Sequence, residues 1–314
     1  MRLVVTSNSS MNVLVTGASG FFGSHITRAL LRRGHDVSAF HRNSTDFRRI
    51  EEERRHVRLW NLSNCSLDEP FRIKGRIDAV LHTAACYGRD GESFSEVQRT
   101  NTVFPLELME AASRNGCGLF INMDTYFHKE YEAFNYVTAY SLSKKHIVEW
   151  ARNVASLLGI RVVNLKLEHL FGPDDHAAKF TMQVLGACLR NDPALPLTRG
   201  EQKRDFVYVT DAVQATLAIL ERSYDASGFE AHEIGAGELV ELKEFVEYIH
   251  HTSGSSTLLG FGMLPYRVGE IMASKADNTS LLEMGWKISV PWKRGVELLV
   301  DATCREHRAI KGES

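Results

Sequence analysis

No stretch of this 314-residue chain is apolar over anything near the roughly 20 residues that a membrane-spanning helix needs. The opening Met1–Ser10 has only a short apolar patch, without the longer apolar core or cleavage-like site of a signal peptide. Met11, just ahead of the first apolar run, reads as an alternative start. Charge of one sign is also missing. The 37 Lys+Arg and 39 Asp+Glu leave a formal net charge of -2, which argues against nucleic acid or an anionic membrane surface as partner. Cysteines are few and odd in number (Cys65, Cys86, Cys117, Cys188 and Cys304) and never form a C-x-x-C pair. They read as reduced thiols of a cytoplasmic protein, with no disulfide framework and no metal site. Internal repeats and low-complexity linkers are absent as well.

What the chain has is an alternation of short β-branched runs with longer amphipathic ones. Strands are expected over 12–16, 36–40, 57–60, 78–82, 119–123, 161–167 and 232–234. Helices are expected over 22–33, 95–114, 139–158, 177–189, 211–221 and 239–251. Strands joined by helical crossovers imply an α/β fold, a Rossmann-type doubly wound parallel sheet. After Gly172-Pro173 the rhythm changes, and the segments beyond it carry more turn signals and less regular alternation. The run from Arg48 to Arg55 reads as a solvated charged surface.

The first strand runs straight into Gly17-Ala-Ser-Gly20-Phe21-Phe22-Gly23, three glycines spaced three apart at the start of a helix. That order makes a pyrophosphate seat: Gly17 permits the turn, Gly20 lets backbone approach phosphates, and Gly23 lets helix and sheet pack closely. The chain therefore divides into a dinucleotide-binding domain over 11–173, rejoined by 204–236, and a smaller discontinuous C-terminal substrate-binding lobe from 174–203 and 237–314. The second strand ends Ala39-Phe40-His41-Arg42, about 20 residues past the glycines, where an NAD site places a carboxylate for the ribose. Asp36 stands at the wrong end of that strand. A guanidinium at Arg42 suits a 2′-phosphate, so NADP is favoured, with NAD as the alternative.

Tyr140 and Lys144 lie four apart on a helix and so share a face. An ammonium beside a phenol is expected to lower its pKa from the usual value near 10, letting Tyr140 pass a proton to an alkoxide. The buried strand Leu119-Phe-Ile-Asn-Met-Asp-Thr125 delivers a hydroxyl at its carboxyl end, where Thr125 could hold a reacting carbonyl.

With these motifs in order, the chain resembles the extended short-chain dehydrogenase/reductases of the nucleotide-sugar epimerase/dehydratase group. The resemblance also rests on His82-Thr-Ala84-Ala85, Asn101, Phe171-Gly-Pro173, Arg204-Asp-Phe-Val-Tyr-Val-Thr-Asp211 and Pro265-Tyr-Arg267 with Gly269-Glu270. It implies that Thr125, Tyr140 and Lys144 are the catalytic set. It implies cofactor contacts from Gly17, Gly20, Phe21, Phe22, Gly23, His41, Arg42, His82, Ala84, Ala85, Asn101, Tyr140 and Lys144. Arg204 and Arg267 would hold a nucleotide-sugar diphosphate or ribose, with His169 and Phe180 as either further substrate contacts or packing residues. A homodimer is implied through the helices over 95–114 and 139–158.

Within the group, 4,6-dehydratases carry an Asp-Glu pair after the catalytic threonine. Here Tyr126-Phe127 follow and the acid, Asp124, precedes, which disfavours dehydration. The group's Arg…Asn before Gly-Pro is replaced by Lys166 and His169, and the interval from Thr125 to Tyr140 is short. The segments around His169, Arg204 and Arg267 are similar to CDP-4-keto-6-deoxyhexose reductases. The expectation is an NADPH-dependent reductase of a nucleotide-linked 4-keto-6-deoxy sugar. A 4-epimerase with tightly held NAD is the alternative.

Overall fold

A computed structural model describes residues 10–73, 76–129, 137–222, 224 and 226–311. The opening residues 1–9, read above as lacking a signal peptide, lie outside the described residues. Seven parallel strands form the central sheet. They are β1 (Asn12–Thr16), β2 (Asp36–His41), β3 (Val57–Asn61), β4 (Ala79–His82), β5 (Leu119–Thr125), β6 (Arg161–Leu167) and an edge strand, Gly228–Ile234. Their spatial order is edge strand, β6, β5, β4, β1, β2, β3. Central strands such as β1, with Val13, Leu14 and Val15 fully buried, read as continuous apolar runs because helices cover both faces. One core lies on each face: Val13, Val15 and Ile121 point into the first, Leu14, Val80 and Phe120 into the second.

From β1 the chain winds outward through β2 and β3, then crosses back to β4 on the other side. That reversal opens a crevice at the carboxyl ends of β1 and β4, the place where doubly wound sheets bind ligands. All seven expected strands are present, and the last begins four residues earlier, at Gly228.

Two helical expectations need correction. The helix expected over 95–114 is broken into Phe94–Gln98, a π-helical turn Arg99–Val103, and Phe104–Arg114. Pro105 has no N–H to donate back to the carbonyl of Asn101, so a regular ladder cannot run through that turn. The terminal part of the chain, read as turn-rich, contains a 20-residue helix, Trp292–Lys311. Its buried residues Trp292, Val296, Leu299 and Val300 recur at helical spacing and join the same core as the sheet.

Short strand pairs attach the later segments: His169–Phe171 with Phe206–Tyr208, Lys203–Arg204 with Val240–Glu241, and Ala194–Leu197 with Leu258–Phe261. Two buried carboxylates fasten these pieces. Asp205 accepts from the backbone N–H groups of Ala236, Gly237 and Ala276. Asp211 accepts from those of Ser289 and Val290. Among the described residues, no helix is long and apolar enough to cross a membrane.

Candidate active site

The glycine turn closes over the crevice. Gly17 has φ +71, which L side chains rarely adopt, and a Cβ there would lie 2.7 Å from the Ala84 nitrogen. A Cβ on Gly23 would lie 2.0 Å from the Gly17 carbonyl, so the helix after the turn could not come this close with any side chain. Gly20 differs, because its Cβ position meets only the Gly17 carbonyl and faces open space beyond it. Gly20 is also the N-cap of α1 (Phe21–Arg32), which has no side-chain cap and no acidic residue in its first turn. The N–H groups of Phe21, Phe22 and Gly23 therefore face outward without an intrahelical acceptor, on the positive end of the helix dipole. These residues fit a dinucleotide pyrophosphate.

The floor of the crevice is rigid. Thr83 donates its hydroxyl to the Thr16 carbonyl at 2.7 Å, and Thr16 Oγ1 lies 2.8 Å from His82 Nδ1. His82 is completely buried between Phe104 and Phe120. Burial and the Lys144 charge push its pKa well below the usual imidazole value, so it is neutral. The sequence placed His82 among the cofactor contacts, but the structure leaves it no surface to offer a ligand. It supports the β1–β4 turn instead, while Ala84 and Ala85 line the accessible side.

At the end of β2, His41 is half-buried against Phe47 and Arg42 is exposed. Asp36 lies at the far end of the strand, and Asp46 in the next loop is paired with Arg48. Arg49, which the sequence reading passed over as part of a charged surface, donates to the Asp174 carbonyl at 2.7 Å and reaches the Ser19 carbonyl of the glycine turn at 3.5 Å.

On the other side of the crevice, Thr125, Tyr140 and Lys144 come together, and all three are buried. Thr125 ends β5, and its Oγ1 accepts from the Phe127 N–H. Tyr140 and Lys144 project from the first turns of the helix Thr138–Val154. The Tyr140 hydroxyl has the Thr125 and Tyr87 side chains as neighbours. Burial first, then the Tyr87 and Asp124 neighbours, raise its pKa well above the usual phenol value.

Lys144, expected to lower that pKa, turns its ammonium elsewhere. The Lys144 ammonium donates to the Met123 carbonyl, and burial, opposed by Asp124, brings its own pKa down to about 8. Asp124 is spent on the other side of β5, accepting from His128 Nε2 at 2.7 Å and Asn164 Nδ2 at 2.9 Å. Burial alone would raise this carboxyl, but His128, Lys144 and Asn164 outweigh it and hold it below the usual range.

Asn101, expected at the cofactor, is fully buried in the π turn. Its amide takes the Cys86 N–H and gives to the Cys86 carbonyl, both at 2.8 Å, and gives to Ser143 Oγ at 3.0 Å. This grip ties the loop after β4 to the Tyr140 helix. The next residue, Tyr87, stacks on Tyr140 with centroids 4.5 Å apart and planes 21° apart. Sequence reasoning missed Tyr87. The only signal for it was its position directly after the Ala84-Ala85-Cys86 segment.

The expected substrate residues sit farther along the crevice. Arg204 is buried, donating to Glu270 at 2.7 Å, with Tyr126 as a neighbour. Arg267 is exposed, three residues from Glu270. His169 packs edge-on against Phe206, and burial with Arg204 and Lys179 lowers its pKa to about 3, so it is neutral at physiological pH. Phe180 starts the helix Phe180–Arg190 and packs half-buried on the core. The structure thus brings Arg204 near both His169 and Tyr126, and packs Phe180 half-buried on the core. An open cavity of about 580 Å³ lies beyond, at the ends of β6 and the edge strand, lined by Lys129, Lys166 and Glu233 among others.

A profile of the NAD dependent epimerase/dehydratase family matches residues 13–235. The CDP-abequose synthase of Salmonella typhimurium is 33% identical over 296 residues, covering 92% of this chain and 97% of that protein. The UDP-glucose 4-epimerase of Thermotoga maritima, solved with UDP-glucose, superposes with a TM-score of 0.81 at 23% identity, covering 95% of this chain and all of that one. The UDP-glucuronic acid 4-epimerase of Bacillus cereus, solved with UDP-glucuronic acid and NAD, gives 0.80 at 22% identity over 94% of this chain and all of that one.

Proposed function

Because the chain belongs to the NAD dependent epimerase/dehydratase family, we propose that it is a nucleotide-sugar reductase, delivering hydride from NADPH to the C4 carbonyl of a 4-keto-6-deoxy sugar. The observation that carries this reading is the state of Tyr140. Its phenol is buried beside Thr125, and burial favours its neutral form, the form that gives a proton in the reducing direction. The likeness to a CDP-abequose synthase over nearly the whole chain supports the same choice of substrate class. Dehydration is disfavoured because Asp124, the acid beside Thr125, is buried and committed to His128 and Asn164.

The nicotinamide, when bound, supplies the hydride. Phe21, Phe22 and Gly23 hold the pyrophosphate through their backbone N–H groups. Thr125 Oγ1 positions the carbonyl oxygen, and Tyr140 passes its proton to that oxygen as negative charge develops there. Arg204, held by Glu270 beside Tyr126, supplies the cation for the diphosphate. Incubating the protein with NADPH and a CDP- or dTDP-linked 4-keto-6-deoxyhexose should consume the nicotinamide absorbance at 340 nm. Absence of turnover with every such sugar would count against the assignment. Denaturing the purified protein separates the epimerase alternative, since stoichiometric release of NAD would favour it.

The cofactor preference rests on Arg42, exposed at the end of β2 with Asp36 at the opposite end. Arg42→Gln is expected to raise the KM for NADPH at least about tenfold, the worth of one charge-assisted hydrogen bond, and to leave NADH unaffected. Equal effects on both nucleotides would remove Arg42 from the 2′-phosphate site.

A homodimer through the helix Thr138–Val154 and its neighbour is part of the same proposal. Leu142 and Trp150, eight residues apart on that helix, are 38% and 51% exposed, and Val103 nearby is 38% exposed. Trp150→Glu should convert a dimer to a monomer in light scattering. A wild-type monomer would refute this part alone.

A further inference from the structure

We propose that Tyr87 returns the proton to Tyr140, serving as the positioned link between the buried phenol and solvent. This rests on reading Tyr140 as the acid of the reduction. Once Tyr140 has given its proton to the alkoxide it must be reprotonated before the next cycle, and its surroundings restrict how. Tyr140 is only 4% exposed, and Thr125 and Lys144 are buried with it. The Lys144 ammonium is held on the Met123 carbonyl, and the Thr125 hydroxyl oxygen receives the Phe127 N–H. Among the described residues, Tyr87 stacks directly on Tyr140 and is itself substantially exposed, at 37%.

The geometry suits a transfer between phenols. The rings stack with a 4.5 Å centroid separation and a 21° interplanar angle, so the two phenols lie side by side. The Arg89 guanidinium lies 5.2 Å from the centroid of the Tyr87 ring. A cation there stabilises negative charge on Tyr87. Tyr87 is not loosely placed, because Asn101 clamps both backbone groups of Cys86 just before it. The steps balance without any further reagent. The alkoxide takes the Tyr140 proton, the Tyr140 phenolate takes the Tyr87 proton, and the Tyr87 phenolate takes a proton from water or a buffer acid. Other charged groups facing the pair are Asp124 and Lys144 behind Tyr140, and Arg89 outside Tyr87.

The test uses Tyr87→Phe, which keeps the stacked ring and removes only the hydroxyl. In the ligand-free protein labelled with carbon-13 at tyrosine Cζ, the Tyr140 resonance is assigned by its loss in Tyr140→Phe. Its titration midpoint should shift in Tyr87→Phe, because the Tyr140 hydroxyl loses the neighbouring hydroxyl it exchanges a proton with. With a keto-sugar substrate, the first turnover should be little changed. Steady-state turnover should drop about tenfold, less than a primary acid contributes, and imidazole added as an external proton donor should restore it. Tyr87→His should also retain most of the wild-type rate. An unmoved Tyr140 midpoint, or a steady-state rate equal to wild type, overturns the proposal. If no keto-sugar is reduced at all, the reductase reading falls, while the titration still decides whether the two hydroxyls are coupled.

Discussion

Tyr140→Phe is expected to lower turnover about a thousandfold, within the range a positioned general acid contributes, while leaving NADPH affinity within about twofold, since the pyrophosphate seat lies elsewhere. The reasoning separates chemistry from structure. The substitution removes one hydroxyl and keeps the ring that stacks on Tyr87 and meets Phe127 edge-on. The neighbouring Thr125 and Tyr87 hydroxyls can each turn to another partner or to water, so the stability cost should stay at about 1 kcal/mol. On the proposed reading, the cofactor would be held chiefly by the Gly17 turn and the first turn of α1, across the crevice from Tyr140. Rate and binding should therefore part company, with kcat falling and KM for the nucleotide unchanged. Stopped-flow measurement of the hydride step, together with a fluorescence titration of bound nucleotide, checks both halves. Full turnover in the variant would mean that another group protonates the alkoxide. Equal losses of binding and rate would mean that the ring, rather than the hydroxyl, was doing the work.

Much of this site can be read from the chain because its parts are local. Gly17, Gly20 and Gly23 belong to a single turn, and the steric reasons for each are visible within seven residues. Tyr140 and Lys144 share one helical face by spacing alone. Thr125 ends a strand whose apolar run announces burial. The fold followed for the same reason, since alternating apolar runs and amphipathic segments specify a parallel sheet before any long-range contact is known.

What escaped the reading depends on which side a residue turns and on what distant segments bring to it. His82 belongs to a motif at the cofactor crevice, yet its side chain turns under the sheet toward Phe104 and Phe120. Tyr87 reaches Tyr140 only because Asn101, held in a π turn, fixes the intervening loop. No periodicity in the sequence encodes that meeting. Spacing along a helix gives Tyr140 and Lys144 a shared face but neither the burial of the phenol nor the direction of the ammonium. In three dimensions burial dominates, and the ammonium is aimed at a backbone carbonyl. The helix Trp292–Lys311 was legible in principle, since Trp292, Val296, Leu299 and Val300 mark one face, but charged residues between them obscured the pattern.

Lys144 couples activity to stability, and the coupling has a sign. An ammonium buried in this site titrates near 8 instead of near 10.5, because burial disfavours its charge more than Asp124 supports it. Keeping it protonated at neutral pH costs the folded state about 3 kcal/mol relative to an exposed lysine. The unfolded chain binds that proton more readily, so this cost is fully present below about pH 8. It fades as pH rises from there towards 10.5, where the lysine is neutral in both states. Lys144→Met keeps most of the side-chain volume and abolishes the charge, at the expense of one hydrogen bond to the Met123 carbonyl worth about 1 kcal/mol. The variant should thus be more stable than wild type at pH 7 by about 1–2 kcal/mol, a rise of a few degrees in Tm. Its advantage should shrink steadily in melts taken between pH 8 and 10. On the proposed mechanism, in which Lys144 would hold the nicotinamide ribose, turnover should fall at least about a hundredfold. A variant that is less stable at pH 7, or whose stability difference does not depend on pH, would show that the lysine is held in the folded state as an ordinary, well-compensated cation.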